Sequence, residues 1–185
     1  MERQPAPTLV TMSHAASTFR SIPRQEWSSH PNYPNNLLLL GSHQNFLAIN
    51  RRLVEQVQRQ AEGSDLSWFA RTYSSWIRAM RSHEAYEEHK LYPYLQARWG
   101  VSMAPAQAGH ETLHEAHARV MSAFDTHDSV EAAAALLRHE EVLAEHLELE
   151  EQLVIPMLLE LPRDEFLKFT HRSIHLLLRE LNASA

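Results

Sequence analysis

The chain has 185 residues, a formal net charge of −6, 13 histidines, 4 glycines and no cysteine. That length supports one domain with a real core. The lack of cysteine excludes disulfides, thiolate nucleophiles and zinc–thiolate sites, and an acidic balance without a basic block speaks against nucleic acid and anionic membrane as partners.

Scarce glycine and abundant Leu, Ala, Glu and Arg point to an all-α protein. Residues 1–34 hold most of the prolines, with isolated Phe19 and Trp27, and are expected to form an extended arm. His14 and His30 have no periodic partner there and are expected in solvent. A first helix is predicted to begin at Asn35 or Asn36, which are good N-cap residues, and to end at Gly63. Its apolar stripe is Leu39, Leu40, Phe46, Leu47, Leu53, Val54 and Val57, with Asn50 and His43 inside it. A second helix runs from Leu66 to about Arg98, with inward residues Phe69, Tyr73, Trp76, Met80, His83, Glu87 and Leu91. A third follows Pro105, its stripe being His110, His114 or Leu113, His117, Met121 and Phe124. A fourth, capped by Ser129, carries Leu136, His139, Leu143, His146, Glu150, Leu153 and Met157 and stops at Pro162. A fifth, Asp164 to Leu181, shows an ordinary packing face of Leu167, Ile174, Leu178 and Leu181.

These segments predict an up-down-up-down four-helix bundle over residues 35–162. An irregular arm would precede it, and an extra C-terminal helix over 163–185 would pack on it. No apolar run is long enough to span a bilayer, and no basic-then-apolar leader opens the chain, so a cytoplasmic location is expected.

Two stretches repeat: SHEAYEEHKLYPYL (82–95) and EHLELEEQLVIPML (145–158). Both read His-x-x-x-Glu-Glu-x-x-x-x-Pro-x-Leu, pairing His83 with His146, Glu87 with Glu150 and Glu88 with Glu151. On a helix, His and Glu four apart share one face, so each repeat offers half of a transition-metal site. Two halves imply two metals, or one metal held between two arms. The prolines are expected to kink their helices.

The inward candidates are therefore His43, His83, Glu87, His110, His114, His146 and Glu150. A lone inward histidine is more often a core residue bonded locally. Seven polar groups at helical spacing on four helices make chance a poor account, with salt-bridged His–Glu pairs as the competing explanation. His114/His117 is a rival pair to His110/His114. His139, two turns before His146, is expected to hydrogen-bond in the core. Glu84, Glu88, Glu151 and His89 lie toward the helix flanks, where Glu88 or Glu151 could accept from ligand imidazoles or simply face solvent. Tyr86 and Tyr92 are read as packing residues.

In these motifs the chain resembles the hemerythrin family, the His-His-Glu cation-binding domain, over about residues 36–161. The matching features are His43, His83-x-x-x-Glu87 with Leu91-Tyr92-Pro93, His110-x-x-x-His114, and His146-x-x-x-Glu150. The oxygen-carrying members instead have an Asp one residue further on in the fourth helix. The resemblance implies a non-haem centre of two iron ions joined by an oxo or hydroxo bridge and by Glu87 and Glu150, with the histidines as further ligands. It implies binding of O2, NO or peroxide, a small diatomic ligand, for sensing, scavenging or storage. The alternative is a di-iron oxygenase, oxidase or catalase-like enzyme acting on a small-molecule substrate.

Overall fold

Among the described residues the 3.6-residue apolar period is realised as six α-helices, with no strand. The computed structural model describes residues 22–34, 40–171, 179 and 183. His14, Phe19, the expected start at Asn35 or Asn36, Leu39, Ile174, Leu178 and Leu181 lie outside them. The helices are α1 (Leu40–Val57), α2 (Ser67–Tyr86), α3 (Tyr92–Trp99), α4 (Ala104–Asp125), α5 (Ser129–Leu159) and α6 (Arg163–His171). None of them is long and apolar enough to cross a membrane.

Several boundaries differ from expectation for local reasons. The first helix ends at Val57 rather than at Gly63, which sits in the following loop with φ 75°. The second predicted helix is α2 and α3 joined through one π-turn, Glu87–Leu91. Pro93 has no N–H to continue the ladder, and the chain absorbs this one residue earlier: the Tyr92 N–H donates to the Glu87 carbonyl, a five-residue step. The other repeat handles its proline without a break, since Pro156 lies inside the continuous α5. Gly100 closes α3 in the left-handed region, its N–H donating to Gln96 O at 2.8 Å. Asp128, not Ser129, caps α5; its Oδ1 accepts from the Val130 and Glu131 N–H groups at 2.8 and 3.0 Å.

α1 packs on α2 and α5, and α4 packs on α2 and α5. Two apolar clusters fill the interior. The larger includes Phe46, Leu53, Tyr73, Trp76, Leu113, Phe124, Leu136 and Leu143. The second includes Leu91, Tyr94, Leu95, Ala106, Val154, Met157 and Phe166. Glu87, His110 and Glu150 each fall between residues of the larger cluster and residues of the second along the chain, so a polar layer sits between two apolar clusters.

Residues 22–34 lie against α5. A short 3-10 turn, Arg24–Ser29, buries Trp27 on Ile155 and Leu159. The Asn32 amide donates to Leu159 O and Leu161 O at 3.3 and 2.6 Å, and Arg163 donates to Asn32 Oδ1 at 3.0 Å. His30 Nδ1 accepts from the Asn32 N–H at 3.1 Å, so this imidazole is engaged in a turn rather than solvated. In α6 it is Phe166 that faces the core, whereas Leu167 is 39% exposed.

Candidate metal centre

Four helices deliver six groups to the polar layer: His43 from α1, His83 and Glu87 from α2 and its π-turn, His110 from α4, and His146 and Glu150 from α5. His43, Glu87, His110, His146 and Glu150 are buried, and His83 nearly so. Ligand atoms of His43, His83, Glu87 and Glu150 all lie within 4.8 Å of one another. Such burial of imidazoles and carboxylates costs free energy unless they are paired or bound.

Each carboxylate reaches two imidazoles. Glu87 Oε1 is 2.7 Å from His83 Nε2, and its Oε2 is 3.4 Å from His110 Nε2. Glu150 Oε2 is 3.4 Å from His43 Nε2 and 4.0 Å from His146 Nε2. Between His43 and His83 the two Nε2 atoms face each other at 3.2 Å. Despite these short approaches, both Glu87 oxygens, Glu150 Oε2 and His110 Nε2 lack a properly directed hydrogen bond from the protein. Groups that crowd together without hydrogen-bond alignment are arranged for something positive between them.

The outer nitrogens settle which lone pairs point inward. His43 Nδ1 lies 3.2 Å from Glu151 Oε1, and His110 Nδ1 lies 2.8 Å from Glu88 Oε1. A carboxylate can only accept, so each Nδ1–H donates and each Nε2 is free to bind a cation. Glu88 and Glu151 occupy equivalent places in the repeat and do equivalent jobs. Tyr92, expected only to pack, donates its hydroxyl to Glu150 Oε1 at 2.8 Å and stacks on His110. That leaves Oε2 of Glu150 for the centre.

The groups of this layer divide its charge unevenly among themselves. Burial drives the Glu87 carboxyl upward, but the His110 and His83 imidazoles outweigh it and hold the group at about 2. Burial, and then the Glu87 charge, push Glu150 well above the usual carboxylate range. Burial, and then the neighbouring His110, bring His146 down to about 4. Burial lowers His110, yet Glu87 and Glu88 raise it further than burial lowers it.

His114 is not brought to this layer. Its side chain is 45% exposed and pairs with Glu84 at 2.8 Å. The inward step after His110 is three residues, to the buried Leu113, rather than four. The rival His117 is also outside, half-buried and stacked on Tyr73 at 5.3 Å between ring centroids. Glu84, expected on the flank, is buried. Residues 109 and 92 carried no motif of their own as ligands, yet both shape the site. A Cβ on Gly109 would collide with His146 Nδ1, so this glycine lets α4 approach the imidazole.

A family model described as the hemerythrin HHE cation binding domain matches residues 38–158. No curated protein and no solved structure matches the chain. The matched span holds all six groups of the polar layer, together with Glu88, Glu151 and Tyr92, and takes in well over half of the sequence. With four helices aiming buried imidazoles and carboxylates at one cation-sized space, the chain belongs to the hemerythrin family of HHE cation-binding domains.

Proposed function

We propose that the chain is a non-haem di-iron protein that binds O2, NO or peroxide, with His43, His83, Glu87, His110, His146 and Glu150 as its protein ligands. One observation carries this: each carboxylate spans one imidazole of the His43/His83 pair and one of the His110/His146 pair. A carboxylate placed between two nitrogen pairs is the arrangement that joins two cations. A shell of four imidazoles and two carboxylates suits iron(II) better than magnesium or calcium, which favour oxygen ligands. Bound iron would supply an exchangeable position for a diatomic molecule or peroxide. The chain's own part is to fix the ligands: Glu88 and Glu151 hold two imidazoles in one tautomer, and the Tyr92 hydroxyl holds Glu150.

The same reading takes α1, α2 with α3, α4 and α5 as an up-down-up-down bundle. Its support is the sense of the apolar flanks. In α1 and α4 the larger cluster lies after His43 and His110, and in α2 and α5 it lies before Glu87 and Glu150.

Oxidation of an organic substrate has less support. A cavity of about 330 Å³ between α4 and α5, lined among others by Ala116, Arg119, Glu131 and Arg138, shares no residue with the centre.

Metal analysis of anaerobically purified protein, followed by its optical spectrum on admitting air, tests the proposal. We expect close to two irons per chain and a charge-transfer band that grows with air. One zinc per chain, or a spectrum indifferent to air, NO and peroxide alike, overturns it.

A further inference from the structure

Seven residues along a helix return almost to the same face, about 10.5 Å away. Seven residues from His43, His83, His110 and His146, toward the larger apolar cluster, stand Asn50, Trp76, His117 and His139. The core therefore holds a second polar layer on the same four helices, which the metal centre does not use. Tyr73 joins it, one turn from Trp76.

The hydrogen bonds of this layer fix its chemistry. The Asn50 amide NH2 donates to Leu136 O at 3.1 Å and to Glu140 Oε2 at 3.4 Å, which makes its Oδ1 the acceptor. His139 Nδ1, 3.2 Å from Asn50 Oδ1, must then carry the proton, and His139 Nε2 is a bare lone pair. His139 is fully buried, and its Nε2 has no hydrogen-bond partner in the protein. The buried Tyr73 hydroxyl and Trp76 indole N–H are likewise without one. The three rings touch one another: centroids are 5.3 Å apart for Tyr73–Trp76, 5.4 Å for Trp76–His139 and 5.6 Å for Tyr73–His139. Two donors and one acceptor without partners thus belong to three buried rings in mutual contact, and none satisfies another.

We infer that Tyr73, Trp76 and His139 form a second binding site, for one small hydroxylic molecule, water or hydrogen peroxide. Its oxygen accepts from the Tyr73 O–H and the Trp76 N–H, and its own O–H donates to His139 Nε2. A diatomic gas cannot serve, because it has no proton to give the imidazole. An anion is disfavoured by burial beside the bare His139 lone pair, which no cation faces among the described residues. A metal ion would find one lone pair and two donors. His117, stacked on Tyr73 and half-buried, links this layer to the outer face of α4. The site goes beyond the iron proposal and needs no metal, so its test is made on the metal-free chain.

The test is imidazole ¹⁵N spectroscopy of full-length, metal-free protein at neutral pH, with Tyr73→Phe as the paired variant. We expect His139 in the Nδ1–H tautomer, with Nε2 shifted as a hydrogen-bond acceptor. Tyr73→Phe should move that Nε2 resonance toward the unbonded position and lower the urea midpoint by roughly 0.5 M. The sign is diagnostic, because deleting a hydroxyl that bonds to nothing would raise the midpoint. Added hydrogen peroxide then separates the sources: a saturable Nε2 shift assigns peroxide, an unchanged resonance assigns water, and both support the site. A wild-type Nε2 at the position of an unbonded nitrogen, or a Tyr73→Phe midpoint at or above wild type, overturns it.

Discussion

Adjacent acids in this protein have different tasks, although the sequence writes them as a pair. Glu87 and Glu150 face the imidazoles across the centre, whereas Glu88 and Glu151 hold two of those imidazoles from outside. Glu87→Gln and Glu150→Gln remove a charged, bidentate acceptor, and each is expected to lose an iron by metal analysis. Glu88→Gln and Glu151→Gln are expected to keep both ions but bind them roughly ten- to a hundred-fold more weakly, since they only orient ligands. His114→Ala should leave the iron count unchanged, its partner being Glu84 of α2. Iron loss in His114→Ala with retention in Glu150→Gln would show that α4 and α5 are rotated from the positions described. Gly109→Ala is a second residue-level case. Alanine favours a helix interior by about 1 kcal/mol, so propensity alone predicts a gain. Its methyl meets His146 instead, and the expected outcome is a lower thermal midpoint and weaker iron binding than wild type.

At the scale of elements, two segments outside the four main helices bear on the centre. The π-turn at Glu87–Leu91 accommodates Pro93 and contains Glu87, one of the proposed ligands. The 22–34 segment reaches the centre from the other side. Arg24 bonds Glu148 and, at 2.9 Å, Glu151, the acid that orients His43. Its anchor is Trp27, whose indole donates to Ile22 O at 2.9 Å and whose ring fills a hollow made by Ile155 and Leu159. Trp27→Ala is expected to cost about 3 kcal/mol in urea unfolding, with iron stoichiometry unchanged. A change below a few tenths of a kcal/mol would mean that the segment does not hold to α5 in solution.

For the whole molecule, stability is tied to the protonation of buried imidazoles. Burial brings His139 down to about 4, against about 6.5 in an unfolded chain. The unfolded state therefore binds more protons between those values. Stability is full above about pH 6.5 and falls as pH drops toward 4. From pH 7 to pH 5 the contribution of His139 to that loss is about 2 kcal/mol. Glu150, raised by burial, titrates with the opposite sign, so the comparison must be between wild type and His139→Gln, both held metal-free by chelator. Wild type should lose about 2 kcal/mol more than the variant over that interval in urea titrations; equal losses would count against a neutral, buried His139.

The sequence by itself determined the helices, their apolar faces and six of the groups that meet in the polar layer. The reason is periodicity: the same period that assembles the core carries His43, His83, Glu87, His110, His146 and Glu150 into it, and the 63-residue repeat shows the layer twice. What periodicity leaves open is rotation about each helix axis. Steps of three and four residues straddle the inward direction on opposite sides, so Leu113 and His114 are equally acceptable until α4 is docked. Docking places Leu113, Val120 and Phe124 inside and His114 beside Glu84. The close approach permitted by Gly109, the hydroxyl that Tyr92 gives to Glu150, and the Glu88 and Glu151 bonds to imidazoles on other helices likewise exist only between elements distant in sequence. Tertiary packing chose these partners because a hydrogen bond is settled by angstroms across an interface, a distance that spacing along one helix does not encode.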